Sequence, residues 1–371
     1  MPEESQLNKK NDDYWRKTRT PVSAYFELTP RCTFDCRMCY VHLTPEQMGD
    51  RRELSTEEWL RVTDEALEAG LLYAVLTGGE CMLHPGFWQI YERLKANGVV
   101  LTVNTNAYAL TQADIDRFIK NPPTDIRVTL YGASEEGYER CTGRRAYARV
   151  VDNIKRLQQA GITLKLAVTF TRYNAEEYAG ICRLSRELGL LLKYAIDLNE
   201  TDPDTGRSVE DSQLTPAQML ETEIGFYKSF GYSFARNKPR FEIPPRMEGS
   251  ESRGMVCAAG RSSYCVNWDG TMSLCVGFPG VVSLRENSLV EAWKRVVEAS
   301  DAFETPVECN TCELRPICEP CPLARRDPKD PGHRDPQRCK TTLMRYNAGL
   351  RTLDKEAPRG ADSPVVEDGF C

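Results

Sequence analysis

The chain has 371 residues and carries 48 Lys and Arg against 54 Asp and Glu, a net charge of −6, a length that suits two domains or one large α/β domain with an appended module. Mild acidity without a basic run argues against a duplex nucleic-acid binder. The most apolar stretches, 70–77 and 188–196, fall far short of the ~20 residues of a membrane helix, and the opening MPEESQLNKKNDD lacks the apolar core of an export signal, which points to a soluble cytoplasmic protein.

After an N-terminal extension (1–22), short apolar β-rich runs alternate with helix-period segments from 23 to about 235. Strands are expected at 24–28, 72–76, 99–104, 125–130, 163–170 and 190–196, and helices at 55–70, 86–97, 111–120, 146–160 and 175–188. The first helix opens on Ser55 with Glu58 three residues on, a capping box, and continues through Trp59, Val62, Ala66 and Leu67. Asn97-Gly98 and Ala160-Gly161 end two others with the glycine of a left-handed cap. The crossover rule curls six such units into a partial (β/α)6 barrel with its loops gathered at the strand C-termini. The polar stretch 198–217 reads as a loop or lid, 216–230 as a helix, and 236–256 as a Pro-containing bridge. An irregular module at 257–340 follows, then a C-terminal helix (341–355) and tail ending at Cys371.

Fifteen cysteines against three histidines, in a large chain without an export signal, suit metal ligation better than disulfides. Cys32, Cys36 and Cys39 follow the first strand at C-x3-C-x2-C spacing. Three thiolates on one loop can hold three corners of a four-iron cluster and leave the fourth iron open to a small molecule. The blander readings are a zinc site helped by His42 or three unrelated thiols. Between Cys257 and Cys339 lie eight cysteines, at 257, 265, 275, 309, 312, 318, 321 and 339, the number needed for two fully ligated clusters. A zinc site from Cys309, Cys312, Cys318 and Cys321 is the alternative, and it would orphan Cys257, Cys275 and Cys339.

The triplet with Tyr40 beside it, followed by Gly78-Gly79-Glu80 after the second strand, resembles the radical S-adenosylmethionine superfamily. The resemblance implies that Cys32, Cys36 and Cys39 ligate a [4Fe–4S] cluster whose open iron chelates the methionyl group of S-adenosylmethionine, and that reductive cleavage yields a 5′-deoxyadenosyl radical. It places Tyr40 beside the adenine, Gly78, Gly79 and Glu80 along the methionyl amine, and Thr105, Asn106, Thr129 and Tyr131 at contacts to ribose and methionine. Cys81 stands where the family often has proline. The second set resembles the SPASM auxiliary-cluster module, departing only in two residues rather than three before Cys321. That likeness implies two auxiliary [4Fe–4S] clusters, one on Cys257, Cys275 and Cys321, the other on Cys309, Cys312, Cys318 and Cys339. Cys265 is then a fourth ligand of the first, a packing residue or a catalytic thiol.

The expected fold class is thus α/β, a partial (β/α)6 barrel with a C-terminal irregular iron–sulfur (SPASM) domain. The expected function is that of a peptide (RiPP) maturase installing a thioether or carbon–carbon crosslink. The alternatives are a formylglycine-forming sulfatase maturase and a non-catalytic iron–sulfur or zinc scaffold or electron-transfer protein. Only 31 residues precede Cys32, too few for a fused leader-binding domain, so either a separate leader-binding protein or the barrel and tail are expected to capture the leader of the peptide substrate, with a flavodoxin- or ferredoxin-type electron donor. Cys141, in what reads as a polar loop after the fourth strand, is a candidate hydrogen donor or a spectator. Cys182 reads as a buried thiol, and Trp59, Trp88 and Trp293 as core.

Overall fold

A computed structural model describes residues 2–198, 203–232, 255, 257–310, 312–315, 317, 318, 321, 326, 327 and 329–350. The sheet at its centre starts with six parallel strands: β1 (Ser23–Glu27), β2 (Tyr73–Thr77), β3 (Val100–Thr105), β4 (Asp125–Thr129), β5 (Leu164–Thr169) and β6 (Leu191–Ala195). They lie side by side in sequence order, the arrangement that βα alternation produces when every crossover returns to the neighbouring position.

The connections carry α2 (Pro45–Met48) and α3 (Thr56–Glu68), then α4 (Phe87–Ala96), α5 (Gln112–Lys120), α6 (Glu135–Thr142), α7 (Tyr147–Gln159) and α8 (Tyr178–Leu188), after α1 (Pro2–Thr18). Helix α3 begins as its sequence dictates: Glu58 N–H donates to Ser55 Oγ at 3.2 Å, and Ser55 N–H to Glu58 Oε2 at 2.8 Å. It buries Trp59, Val62 and Ala66, and the Trp59 ring lies 5.4 Å from that of Phe26 on β1. Fully burying a large aromatic in this way contributes on the order of 3 kcal/mol. Gly98 and Gly161 take the left-handed conformation expected of them, at φ +74° and +75°.

Two features differ from the sequence expectation. Helix α6 occupies the stretch read as a polar loop, because Ser134 caps it and its one inward face, Tyr138 and Cys141, is too short to show a period. The last helix, α12 (Pro336–Asn347), starts five residues early, with Asp335 as its cap and proline in its first turn.

The C-terminal segment continues the barrel sheet. β7 (Ser263–Val266) pairs parallel with the free side of β1, and β8 (Thr271–Ser273) and β9 (Val282–Ser283) follow antiparallel, which makes nine strands. Between β6 and β7 come α9 (Val209–Ser212) and α10 (Pro216–Ser229); α11 (Leu289–Asp301) packs on α3, the hairpin β10 (Arg326–Asp327) and β11 (Asp330–Arg334) precedes α12, and α12 lies on α10. The expected bridge, except for Met255, and Cys371 lie outside the described residues. No helix among those described is long and apolar enough to cross a membrane.

Candidate active site

The cysteine loop leaves the C-terminal end of β1 and is clamped against the turn after β2. Gly79 N–H donates to Thr29 O and Glu80 N–H to Arg31 O, both at 2.8 Å. A Cβ on Gly79 would lie 2.4 Å from Arg31 O, and one on Gly78 2.6 Å from Thr29 O, so the two glycines are required by this approach of backbones. Glu53 secures the same strand end, accepting from Thr29 Oγ1 at 2.8 Å and from Arg31 Nε at 2.7 Å. On the far side, Asp35 N–H and Arg37 N–H donate to Thr142 O and Cys141 O, at 2.9 and 3.1 Å, at the C-terminal end of α6.

Glu80, 2% exposed, is where three strand ends meet. Its carboxylate accepts from Thr105 Oγ1 at 2.9 and 3.0 Å and from Asn106 N–H at 2.9 Å. Burial nevertheless pushes its carboxyl above the usual range. Asn106 in turn donates from Nδ2 to Thr33 Oγ1 at 3.0 Å and to Cys32 Sγ at 3.5 Å. The residue after it, Ala107, sits at φ +56°, a strained conformation for alanine. It is held there by Asn153 Nδ2, which donates to its carbonyl at 2.7 Å. The structure therefore brings Cys32, Glu80, Thr105 and Asn106 into one group.

The three thiols are held in the protein, and burial pushes each upward, Cys32 to about 12. Phe34 N–H donates to Cys32 Sγ at 3.4 Å and His42 N–H to Cys39 Sγ at 3.3 Å. N–H groups aimed at sulfur are what steady and tune cluster thiolates, so these residues fit an iron–sulfur group. Among the described residues no three His, Cys, Asp or Glu side chains surround a point that a single ion could occupy. No disulfide joins any two of the described cysteines.

Three further expected residues have partners outside the Glu80 group. Tyr131 is half-buried against the core, with Cys36 and Cys39 close enough to act electrostatically on its phenol, whereas Thr129 contributes its carbonyl to the Tyr138 hydroxyl at 3.2 Å. Tyr40 makes no hydrogen bond to the Glu80 group; its hydroxyl donates to Glu27 Oε1 at 2.7 Å. Cys141 is not in an open loop at the mouth: it lies fully buried in α6, close to Cys36. Cys182 is buried in α8, and Trp59 and Trp293 in the core, with Trp88 half-buried.

The C-terminal cysteines fall into two groups. Cys275 has Cys257 and Cys321 as neighbours, and Cys339 has Cys309, Cys312 and Cys318. Cys265, on β7, is fully buried; its thiol donates to Asn267 Oδ1 at 3.4 Å, with Cys275 nearby. Beside the first loop an open hollow of about 420 Å³ is lined by Arg37, Arg172 and Arg207 together with Asp35, Asp211 and Tyr173. Arg207 ties segment 203–212 to the loop, pairing with Asp35 and donating to His42 O at 2.9 Å. Sequence reasoning does not single out Glu27, although an acidic residue inside the apolar run 24–28 is a signal that the sequence contains.

A family profile described as the radical SAM superfamily matches residues 26–185. A probable GTP 3′,8-cyclase of Saccharolobus islandicus is 34% identical over 261 residues, 67% of this chain and 80% of that protein. The AdoMet-dependent heme synthase of Methanosarcina barkeri is 24% identical over 326 residues, 82% of this chain and 92% of the other. The subtilosin biosynthesis protein AlbA of Bacillus subtilis is 27% identical over 267 residues, 71% of this chain, which spans 57% of AlbA. Among solved structures, Streptococcus suis SuiB bound to its precursor peptide SuiA superposes with a TM-score of 0.64 at 16% identity, covering 91% of this chain and 81% of SuiB, a likeness of fold.

Proposed function

The chain belongs to the radical SAM superfamily, and we propose that within it the protein is a cytoplasmic peptide maturase, installing a thioether or carbon–carbon crosslink in a peptide substrate. The observation that carries this reading is the seam between β1 and β7, which gives one continuous sheet to the Cys32–Cys39 loop and to the strands leading to Cys275. The similarity to AlbA, a bacteriocin biosynthesis protein, supports a peptide as substrate.

In this reading Cys32, Cys36 and Cys39 hold a [4Fe–4S] cluster, and two further clusters sit on Cys257, Cys275 and Cys321 and on Cys309, Cys312, Cys318 and Cys339. With a cluster and S-adenosylmethionine held there, the site would supply hydrogen-atom abstraction from a peptide residue. The chain's own work is to orient and exclude. Glu80, fixed by Thr105 and Asn106, receives the methionyl ammonium, a charge-assisted contact. Asn106 holds Cys32 in place, and Tyr131 closes the wall beside Cys36 and Cys39. The arginine-lined hollow beside the loop is open for carboxylates of a substrate or of an acidic flavodoxin- or ferredoxin-type donor.

A second reading takes a tetrapyrrole as substrate. It is favoured by the match over 92% of the heme synthase and by Arg37 and Arg172 at the hollow, which suit propionate groups.

The test is anaerobic reconstitution with iron and sulfide, then dithionite-driven release of 5′-deoxyadenosine, in the parent and in a Cys32→Ala, Cys36→Ala, Cys39→Ala variant. About twelve irons falling to about eight, with nucleoside released only by the parent, supports three clusters. Loss of two hydrogens from a co-expressed candidate peptide separates the peptide reading from the tetrapyrrole one. Zinc in place of iron, with no nucleoside, ends both.

A further inference from the structure

Strand β1 is the seam of the molecule: β2 and the cysteine-loop clamp lie on one side, and β7 and the C-terminal cysteines on the other. Its last residue, Glu27, is 3% exposed. On the same face of the sheet lie Tyr25, two positions back, and Cys265, which the register sets opposite Tyr25. Ser273 of β8 stands opposite Cys265 in turn, and its hydroxyl donates to Asn267 Oδ1 at 3.3 Å and to Cys275 O at 3.1 Å.

The Tyr40 hydroxyl reaches Glu27 from the other side, at 2.7 Å. Its ring borders the turn after Cys275: a Cβ on Gly277 would touch Tyr40 Cδ2 at 3.8 Å. Through Tyr40 the pair adjoins Cys39. The Glu27 carboxylate lies close enough to act electrostatically on Cys39, Cys265 and Cys275 alike. A buried acidic group thus stands between the two sets of cysteines.

We infer that Glu27, held by Tyr40, sets the reduction potential of the metal centre built on Cys257, Cys275 and Cys321. The inference rests on the auxiliary-cluster reading above. Joining two substrate atoms that each carry hydrogen releases one hydrogen atom, one proton and one electron. In that balance the abstracting group would take the hydrogen atom, solvent the proton, and a cluster held by Cys257, Cys275 and Cys321 would be the acceptor for the electron. A centre that accepts an electron gains negative charge, and a buried carboxylate opposes that gain more strongly than an exposed one. Glu27 therefore keeps the potential low, so that the centre can pass the electron on rather than retain it.

The measurement is a redox titration of the anaerobically reconstituted full chain, followed by electron paramagnetic resonance. A Cys275→Ser variant identifies the signal that belongs to this centre. Glu27→Gln, which keeps the shape and removes the charge, should raise that midpoint by at least a tenfold change in the reduction equilibrium, about 59 mV for one electron. The centre assigned to Cys309, Cys312, Cys318 and Cys339 should stay where it is. Glu27→Asp, which withdraws the charge by one methylene, should give a smaller rise. It also carries the test if the glutamine variant fails to assemble. An unmoved midpoint in both variants, or an equal shift of both centres, overturns the inference. If no signal depends on Cys275, the auxiliary-cluster reading itself fails, and that failure is read separately.

Discussion

Thr105 donates its hydroxyl into the carboxylate of Glu80, 3.0 Å from one oxygen and 2.9 Å from the other. The end of β3 thereby fixes the only acidic group on the turn after β2, and Asn106, next in the chain, carries that order on to Cys32. Removing the hydroxyl leaves a buried carboxylate short of a donor. Thr105→Val should cost about 1–2 kcal/mol in urea unfolding. Glu80→Gln, whose amide would oppose Asn106 N–H, should weaken S-adenosylmethionine binding at least tenfold by equilibrium dialysis while Thr105→Ser stays near the parent.

Gly79 shows how a packing constraint reads as a motif. Its missing Cβ leaves room for Arg31 O, so Gly79→Ala must displace the loop that carries all three thiols. Destabilisation of about 2 kcal/mol or more is expected from such overpacking. Chemical unfolding of the apo chain, with iron retained per chain after reconstitution, will register it. A stable variant with full iron content would show that the loop tolerates the shift.

His84 gives a pH dependence with a definite sign. The side chain is 3% exposed; its Nδ1 accepts from Gly86 N–H at 3.1 Å and its Nε2 lies 3.0 Å from Leu54 O. The neutral ring satisfies both contacts, and burial lowers its pKa below the ordinary 6.5. The unfolded chain therefore binds a proton at a pH where the folded one does not. Stability is complete above about 6.5 and falls as pH drops below it toward the depressed folded value. Urea midpoints at pH 7.5 and 5.5 should separate in the parent and separate less in His84→Gln.

Arg345 is a buried cation on α12, 3% exposed, donating to Glu223 Oε2 at 2.7 Å and to Asp197 Oδ2 at 3.0 Å. It anchors the helix that carries Cys339 to α10 and to the residues after β6. Arg345→Met strands two carboxylates, and a loss of about 3 kcal/mol is expected. Hydrogen exchange should quicken in α12 before it does in β1–β5. Uniform exchange across the chain would contradict a local anchor.

Cys265 and Cys275 differ in their surroundings. The first has its thiol on Asn267 within the sheet; the second adjoins Cys257 and Cys321. Cys275→Ser should lower reconstituted iron by about four per chain, whereas Cys265→Ser should leave it unchanged. An equal loss in both variants would make Cys265 a ligand.

The six barrel strands were legible because each is a continuous apolar run bounded by turn signals, and the helices because their caps are local, as at Ser55 and Thr111. Helix α6 was not, since eight residues with one buried face carry too little period to separate from a loop. That same helix buries Cys141 against the cysteine loop, where sequence position alone sets it in an open loop. The strands β7 and β8, four and three residues long, were hidden for the same reason.

By itself the sequence determined the chemistry on offer: three thiols on a single tight loop, Gly-Gly-Glu one unit later, and eight further cysteines, because ligand type and spacing along a short loop are local properties. The tertiary structure alone decided which groups meet. Glu80 finds Thr105 and Asn106 about 25 residues on, and Glu27 finds Tyr40 and the neighbours of Cys275, because strand pairing closes distances that no local pattern encodes. Tyr40, one residue after Cys39, points to the seam and not to the Glu80 group. Its direction was set by the burial of a carboxylate that needed a donor.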